Sequence, residues 1–251
     1  MRLRSLLTAA ICLFAPRRMK PFLLRRLGHP VAKGARIGCS LVLVERLAMA
    51  PRTRIGTGNL IRCRRILLRD QAWVGHANMI KGPFSLWFDQ RAAVGNRNTI
   101  SRAPHPVTFG PSHLRLGDFA KVTGGHHVDL TQSVRFGDFS TLAGKGSQIW
   151  THGYVHMSQG LDRARVDGRV KIGSNVYIGS ASVIGGGITI ADGVTVGALS
   201  SVASDLLESG LWVSQKLRHI ALTPEQRLDR LPQIMRPGLA ESVYWKGTNP
   251  P

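Results

Sequence analysis

Between Lys171 and Ala203 an aliphatic residue opens every sixth position: Ile172, Ile178, Ile184, Ile190, Val196 and Val202. Each is followed by Gly or Ala, namely Gly173, Gly179, Gly185, Ala191, Gly197 and Ala203. A period of six fits neither a helix (3.6) nor a strand (2), so it predicts an architecture that turns a corner at fixed intervals. The fifth positions, Val176, Ser182, Ile188, Val194 and Ser200, are aliphatic or small, which predicts two inward side chains per short strand and then a tight corner. Three such strands close one triangular coil, so residues eighteen apart are expected to stack, as Val176 with Val194 and Ser182 with Ser200. Stacked coils bury what one repeat cannot bury alone.

The same rhythm runs upstream with slips. Val31, Ile37, Leu43, Met49, Ile55 and Ile61 share one lattice, and Leu68, Val74 and Ile80 continue it after a one-residue shift. Val94 and Ile100 begin another stretch, Leu116, Val122, Val128 and Val134 a third, and Phe136 and Leu142 return to the phase of Ile172. The slips predict loops or bulges. The Pro-rich run from Pro83 to Pro111 is expected to project from the coil, and Tyr154 to Arg165 to loop out over a site. After Val202, Thr223-Pro224-Glu225 reads as an N-cap, a proline at the first helical position and an acidic first turn, predicting a helix over 223–235. The organisation expected is an N-terminal segment 1–30, a coil domain 31–203 with loops near 83–111 and 153–165, and a C-terminal extension 204–251.

Charge changes the picture more than hydrophobicity does. Thirty-four Lys and Arg against fourteen Asp and Glu give a formal net charge of +20, which favours anionic partners. Aromatic content is only 6 %, without alternating aromatic and basic residues, so a nucleic-acid stacking platform is not supported. Cys12, Cys39 and Cys63 are scattered and odd in number, which argues against a disulfide framework or a zinc cluster. The first acidic residue is Glu45. Before it, Arg2, Arg4, Arg17, Arg18, Lys20, Arg25 and Arg26 interleave with Leu3, Leu6, Leu7, Ile11, Phe14, Phe22, Leu23 and Leu24. The apolar run Leu6–Ala15 is too short to span a bilayer, so this segment reads as a basic amphipathic helix on an anionic membrane, as a cap on the open end of the coil, or as both.

The residues Lys171-Ile172-Gly173-Ser174-Asn175-Val176-Tyr177-Ile178-Gly179-Ser180 with the repeats after them, and Ala143-Gly144-Lys145-Gly146-Ser147-Gln148-Ile149-Trp150-Thr151-His152 upstream, resemble the hexapeptide-repeat (isoleucine-patch) acyltransferases, particularly those that acetylate sugar hydroxyls of bacterial surface polysaccharides. The resemblance covers roughly Val31 to Ala203. It implies an all-β fold, a left-handed parallel β-helix, flanked here by the N-terminal basic helix and the C-terminal helix. It also implies a homotrimer with sites between subunits, and acetyl-CoA as co-substrate with no metal.

Transfer of an acyl group from a thioester to an alcohol needs a base for the hydroxyl proton, and histidine suits that task because its pKa lies near neutrality. His152 is the candidate: it follows the strand-like Gln148-Ile149-Trp150 and opens the break between two stretches of repeat in one phase. His156, four residues on, is the fallback base. His126 and His127, with Trp150, are candidate substrate contacts, and Asp129 or Asp138 could orient a histidine by accepting its second ring proton. In the resembling family the coenzyme lies along the late coils against small residues after repeat glycines, which map here to Gly179-Ser180 and Gly197-Ala198. Its phosphates would meet Lys216 and Arg218, although Val213-Ser214-Gln215-Lys216-Leu217 replaces the family's usual ending. The expected function is cytoplasmic acetyl transfer to a sugar or glycolipid acceptor, with peripheral attachment at the inner face of the membrane. Two other readings share the fold: a γ-carbonic anhydrase-like zinc hydratase, for which four histidines are available, and a non-enzymatic scaffold that binds polyanions.

Overall fold

The computed structural model describes residues 3–214 and 223–247. Its body is a left-handed parallel β-helix whose coils each contribute one strand to each of three faces. One face is a nine-stranded parallel sheet that begins with Arg36–Ile37 and ends with Gly210–Trp212. The other two are halves of one thirteen-stranded sheet. They join because the nine-residue strands Leu41–Met49 and Leu60–Leu68 run through a corner without a turn: Leu60–Arg62 pair with Met79–Lys81, while Arg65–Leu68 pair with Ser85–Phe88.

The core is three files of inward side chains in exact register. Ile37, Ile55, Val74, Val94, Val122, Leu142, Ile178 and Val196 form the first. Ile61, Ile80, Ile100, Val128, Ile149, Ile184 and Val202 form the second, and Leu68, Phe88, Leu116, Phe136, Ile172 and Ile190 the third. All are buried, and truncating an isoleucine in such a file costs about 2–5 kcal/mol. In the last coils the pairing is eighteen residues apart, as in Lys171 with Thr189 and Val183 with Ser201. Beside the second file, a polar ladder runs inside one corner. The Asn59, Asn78 and Asn98 carboxamides each accept from the backbone N–H of the next rung, and Ser147 and Ser182 hydroxyls continue the series. It satisfies backbone donors that the corner would otherwise bury unpaired.

Three expectations need correction. Leu43 is not an inward residue: in Leu41–Met49 the period-two alternation places Val42 and Val44 inside and leaves Leu43 on the outer surface. Most of the Pro83–Pro111 run stays in the coil as the strands Ser85–Phe88, Ala93–Val94 and Thr99–Ser101, and only 102–112 leaves it. Tyr154 to Arg165 leaves the coil as expected and does so as a β-hairpin, with His152–His156 antiparallel to Arg163–Asp167 and the latter parallel to Val243–Trp245. The C-terminal helix Pro224–Leu228 has the expected Thr223 cap, in a reciprocal capping box with Gln226, but ends early. Pro232 disfavours helix at the residue before it, and Gln233–Ile234 is a strand.

The N-terminal segment folds as α1 (Leu3–Phe14) and α2 (Lys20–Arg26), with α1 packed along Leu41–Met49. Its inner face is small and polar: Ser5, Thr8, Ala9 and Cys12 are buried. Ser5 Oγ donates to the Val44 carbonyl, and His29 bridges Thr8 Oγ1 to the Leu47 N–H. Leu3, Leu6, Leu7, Phe14, Met19 and Phe22 therefore point away from the body. No helix among the described residues is long and apolar enough to cross a membrane.

Candidate active site

Two insertions leave the coil from the second face, after Ser101 and, two rungs on, after Thr151, and between them lies a cavity of about 240 Å³. Its lining includes Ser101, His127, Asp129, Trp150, His152, Tyr154 and Arg165. Asp129 ends the strand His127–Asp129, and His152 starts the hairpin where the chain departs one coil later.

His152 Nδ1 lies 2.9 Å from Asp129 Oδ2. The carboxylate is fixed by four further donors: the Thr131 N–H and Oγ1 on Oδ1 (3.2 and 3.0 Å), and the Thr151 N–H (3.0 Å) and Oγ1 on Oδ2. Burial pushes the Asp129 carboxyl up, but the hydrogen bonds from His152 and Thr151 outweigh it and hold the group below its ordinary value. The same hydrogen bond raises the His152 imidazole above its ordinary value against the opposing effect of burial. With Nδ1 committed, Nε2 has no hydrogen-bond partner among the described residues. The arrangement is a His–Asp pair with a defined tautomer, the form in which imidazole takes a proton from a bound hydroxyl.

Around the pair, His127 stacks on Trp150 with ring centroids 4.6 Å apart, and Tyr154 donates to Glu241. Arg165, on the second hairpin strand, is buried and held by Asp167 through Nε (2.9 Å) and Nη2 (3.3 Å). Burial raises the Asp167 carboxyl in spite of that partner, and Gln132 supplies a further donor. A cation is thereby kept in the cavity wall by groups from the hairpin, the coil and the C-terminal extension.

The sequence candidates divide clearly. His152, His127 and Trp150 come together at the cavity. His126 does not: it is a rung of the internal polar ladder, where its Nδ1 accepts from the Ser147 N–H and its Nε2 meets Thr123 Oγ1. His156 is exposed on the hairpin opposite Arg163, outside the cavity lining. Of the two proposed orienting acids, Asp129 is the partner; Asp138 instead accepts from the Asp118 N–H at an outer corner. Gly179-Ser180 and Gly197-Ala198 stack on successive rungs one face away. There the glycine is demanded by the coil itself, since a Cβ on Gly179 would sit 2.5 Å from the Ala198 nitrogen. Lys216 and Arg218 lie outside the described residues. Thr131, Thr151, Arg165 and Asp167 carried no motif; alternation of Arg165 and Asp167 on one strand was the available signal. Among the described residues no three His, Cys, Asp or Glu side chains are grouped as metal ligands.

The fold defines the class, a left-handed β-helix, and where the coil is interrupted it carries a hydrogen-bonded His–Asp pair. Residues 169–204 match the family described as bacterial transferase hexapeptide (six repeats). Over that stretch the match supports the resemblance to the hexapeptide-repeat acyltransferases. No curated protein matches it. Among solved structures it is similar to a mutant of AntD, an N-acyltransferase from Bacillus cereus in complex with dTDP and coenzyme A, at 16 % identity over 70 % of this chain and 86 % of that one, with a TM-score of 0.28.

Proposed function

We propose that the protein transfers an acetyl group from acetyl-CoA to a hydroxyl of a sugar or glycolipid, with His152 as general base. The observation that carries the reading is the 2.9 Å bond from His152 Nδ1 to a carboxylate that is itself fully hydrogen-bonded, leaving Nε2 for the acceptor. In the reaction Nε2 takes the hydroxyl proton as the oxygen attacks the thioester carbonyl carbon. The C–S bond then breaks, and the imidazolium returns the proton to the leaving thiolate, so base and acid are one group used twice. Asp129 holds the ring and stabilises its charged form.

His152→Ala tests this directly. The side chain is 27 % exposed and lies outside the core files, so the variant is expected to fold and melt as the wild type does while thiol release with a sugar acceptor falls about 10²–10⁴-fold. Wild-type turnover in that variant would remove the dyad from the chemistry. Coenzyme contacts at Ser180 and Ala198, along the late coils, and a homotrimer that completes the cavity belong to the same proposal.

The N-terminal helices support a peripheral membrane location as part of the same proposal. A helix that buries serine and threonine and exposes Leu3, Leu6, Leu7 and Phe14 fits an interfacial anchor, and the +20 net charge fits an anionic leaflet. We place the protein at the inner face of the membrane on that basis.

A further inference from the structure

The outward residues that lead to the dyad form a single file. Leu43, Arg62, Lys81, Ser101 and Asp129 are paired in direct register across successive strands of the second face. At about 4.8 Å per rung, Lys81 is about 10 Å and Arg62 about 14 Å from Asp129 along the sheet. Both side chains are exposed to solvent. They line a cavity of about 510 Å³, together with Arg64, Arg102 and Glu45 and with apolar walls from Leu43, Pro83 and Pro104; Ser5 of α1 also borders it.

Four cations line this cavity against one acid, Glu45. Arg62, Arg64, Lys81 and Arg102 make no ion pair among the described residues, and Glu45 pairs with none of them. Arg102 is 6 % exposed and spends Nη1 and Nη2 on the carbonyls of Pro83, Phe109 and Gly110, while its Nε is unpartnered. Burial, and after it the neighbouring Arg64, lower the Arg102 guanidinium to about 10, against the opposing effect of Asp167 and Asp129. Segment 101–104 separates the two cavities: Ser101 and Ala103 line the dyad cavity, Arg102 and Pro104 the basic one.

We infer that the basic cavity is an anion subsite that holds a phosphate or diphosphate of the acceptor while its reacting hydroxyl lies at His152, two to three rungs along the file. Two free cations on the file and a buried third behind them suit a multiply charged phosphate group better than a lone carboxylate. The assignment depends on the acetyl-transfer reading for its purpose and not for its ligand.

The probe is inorganic pyrophosphate titrated into the full chain by calorimetry. Wild type and His152→Ala are expected to bind it saturably and alike, and the double variant Arg62→Gln with Lys81→Gln about tenfold or more weakly, because two charge-assisted contacts are lost. Both changed side chains are exposed, so an unchanged melting temperature verifies the fold. Equal binding by wild type and the double variant, or no saturable binding by wild type, overturns the subsite. Loss of acetyl transfer in His152→Ala with pyrophosphate binding intact supports both readings; intact transfer with intact binding removes the dyad and leaves the subsite. Phosphatidylglycerol vesicles that displace pyrophosphate indicate a phosphate carried on lipid. Vesicles that bind without displacing it indicate a soluble phosphorylated acceptor, and either outcome keeps the phosphate assignment.

Discussion

Replacing Asp129 by Asn removes one charge and changes almost no volume, so what it breaks can be traced from the hydrogen bonds. Each carboxylate oxygen accepts one backbone N–H, from Thr131 on Oδ1 and from Thr151 on Oδ2, and a backbone donor cannot reverse its polarity. Whichever way the new carboxamide turns, its NH2 faces an N–H, and at least one buried donor is left unpaired at a cost of about 1–3 kcal/mol. If the NH2 takes the Oδ2 position it also faces Nδ1 of His152, favouring the tautomer with the proton on Nε2, which cannot accept from a hydroxyl. Loss of positioned base catalysis accounts for about 10²–10⁴ in rate, or about 3–5 kcal/mol at 1.36 kcal/mol per decade.

The pH profile separates this from a merely structural effect. In the wild type the hydrogen bond and charge of Asp129 raise the imidazole, so kcat/KM is expected to climb with pH through a value above the ordinary 6.5. In Asp129→Asn the residual rate should climb at lower pH, since the neutral amide no longer stabilises the imidazolium. The assay is thiol release from acetyl-CoA at saturating acceptor across that range, with melting curves alongside. A variant that keeps both the rate within threefold and the position of the pH limb would refute the dyad argument, whatever its stability.

Two further outcomes follow from α1. Burial, and then the neighbouring Arg4, lower His29 from 6.5 to about 4, so it is neutral in the fold and the undocked chain binds the extra proton between those values. Its stabilisation of α1 is therefore complete above 6.5 and is lost as pH falls toward 4; hydrogen exchange of α1 amides should accelerate over that window relative to those of Leu60–Leu68, and unchanged α1 protection would refute it. Changing Leu7 and Phe14 together to Glu should leave the melting temperature within about 1 °C, because both are exposed, yet abolish sedimentation with phosphatidylglycerol vesicles; retained sedimentation would show that charge alone holds the protein there.

The coil was readable from sequence because its rule is strictly local: each short strand supplies an inward aliphatic residue and each corner a small one, so Ile172 to Val202 announce three faces without any knowledge of distant contacts. The rule lost its phase where a strand ran through a corner. In Leu41–Met49 period-two alternation competes with period six and wins, which turns Leu43 outward. The N-terminal segment read as a basic amphipathic helix on a membrane, as a cap on the coil, or as both; what its pattern did not disclose is that the surface of Leu41–Met49 bonds Ser5, Thr8 and His29, so that the helix packs by its small side.

The site was legible only where it touched the repeat. His152 could be found because the rhythm stops there, and Asp129 because an acid beside a histidine pair invites the role; neither reading could tell Asp129 from Asp138 or His126 from His127. The polar ladder decides the second case: a corner rung needs an acceptor for the next backbone N–H, and His126 sits at that rung while His127, one residue on, faces outward to Trp150. Arg165 and Asp167 lie in an insertion outside the six-residue period, and Glu241, a further partner of Arg165, is 76 residues from it. Such residues become visible only when the coil brings its interruptions together. A β-helix has one interior and no cleft of its own, so a cavity must be built from chain that leaves the coil, and here insertions two rungs apart on one face enclose one with the Asp129 rung as its floor. The end of repeat regularity, where pattern recognition fails, is for that reason the place where chemistry can be housed.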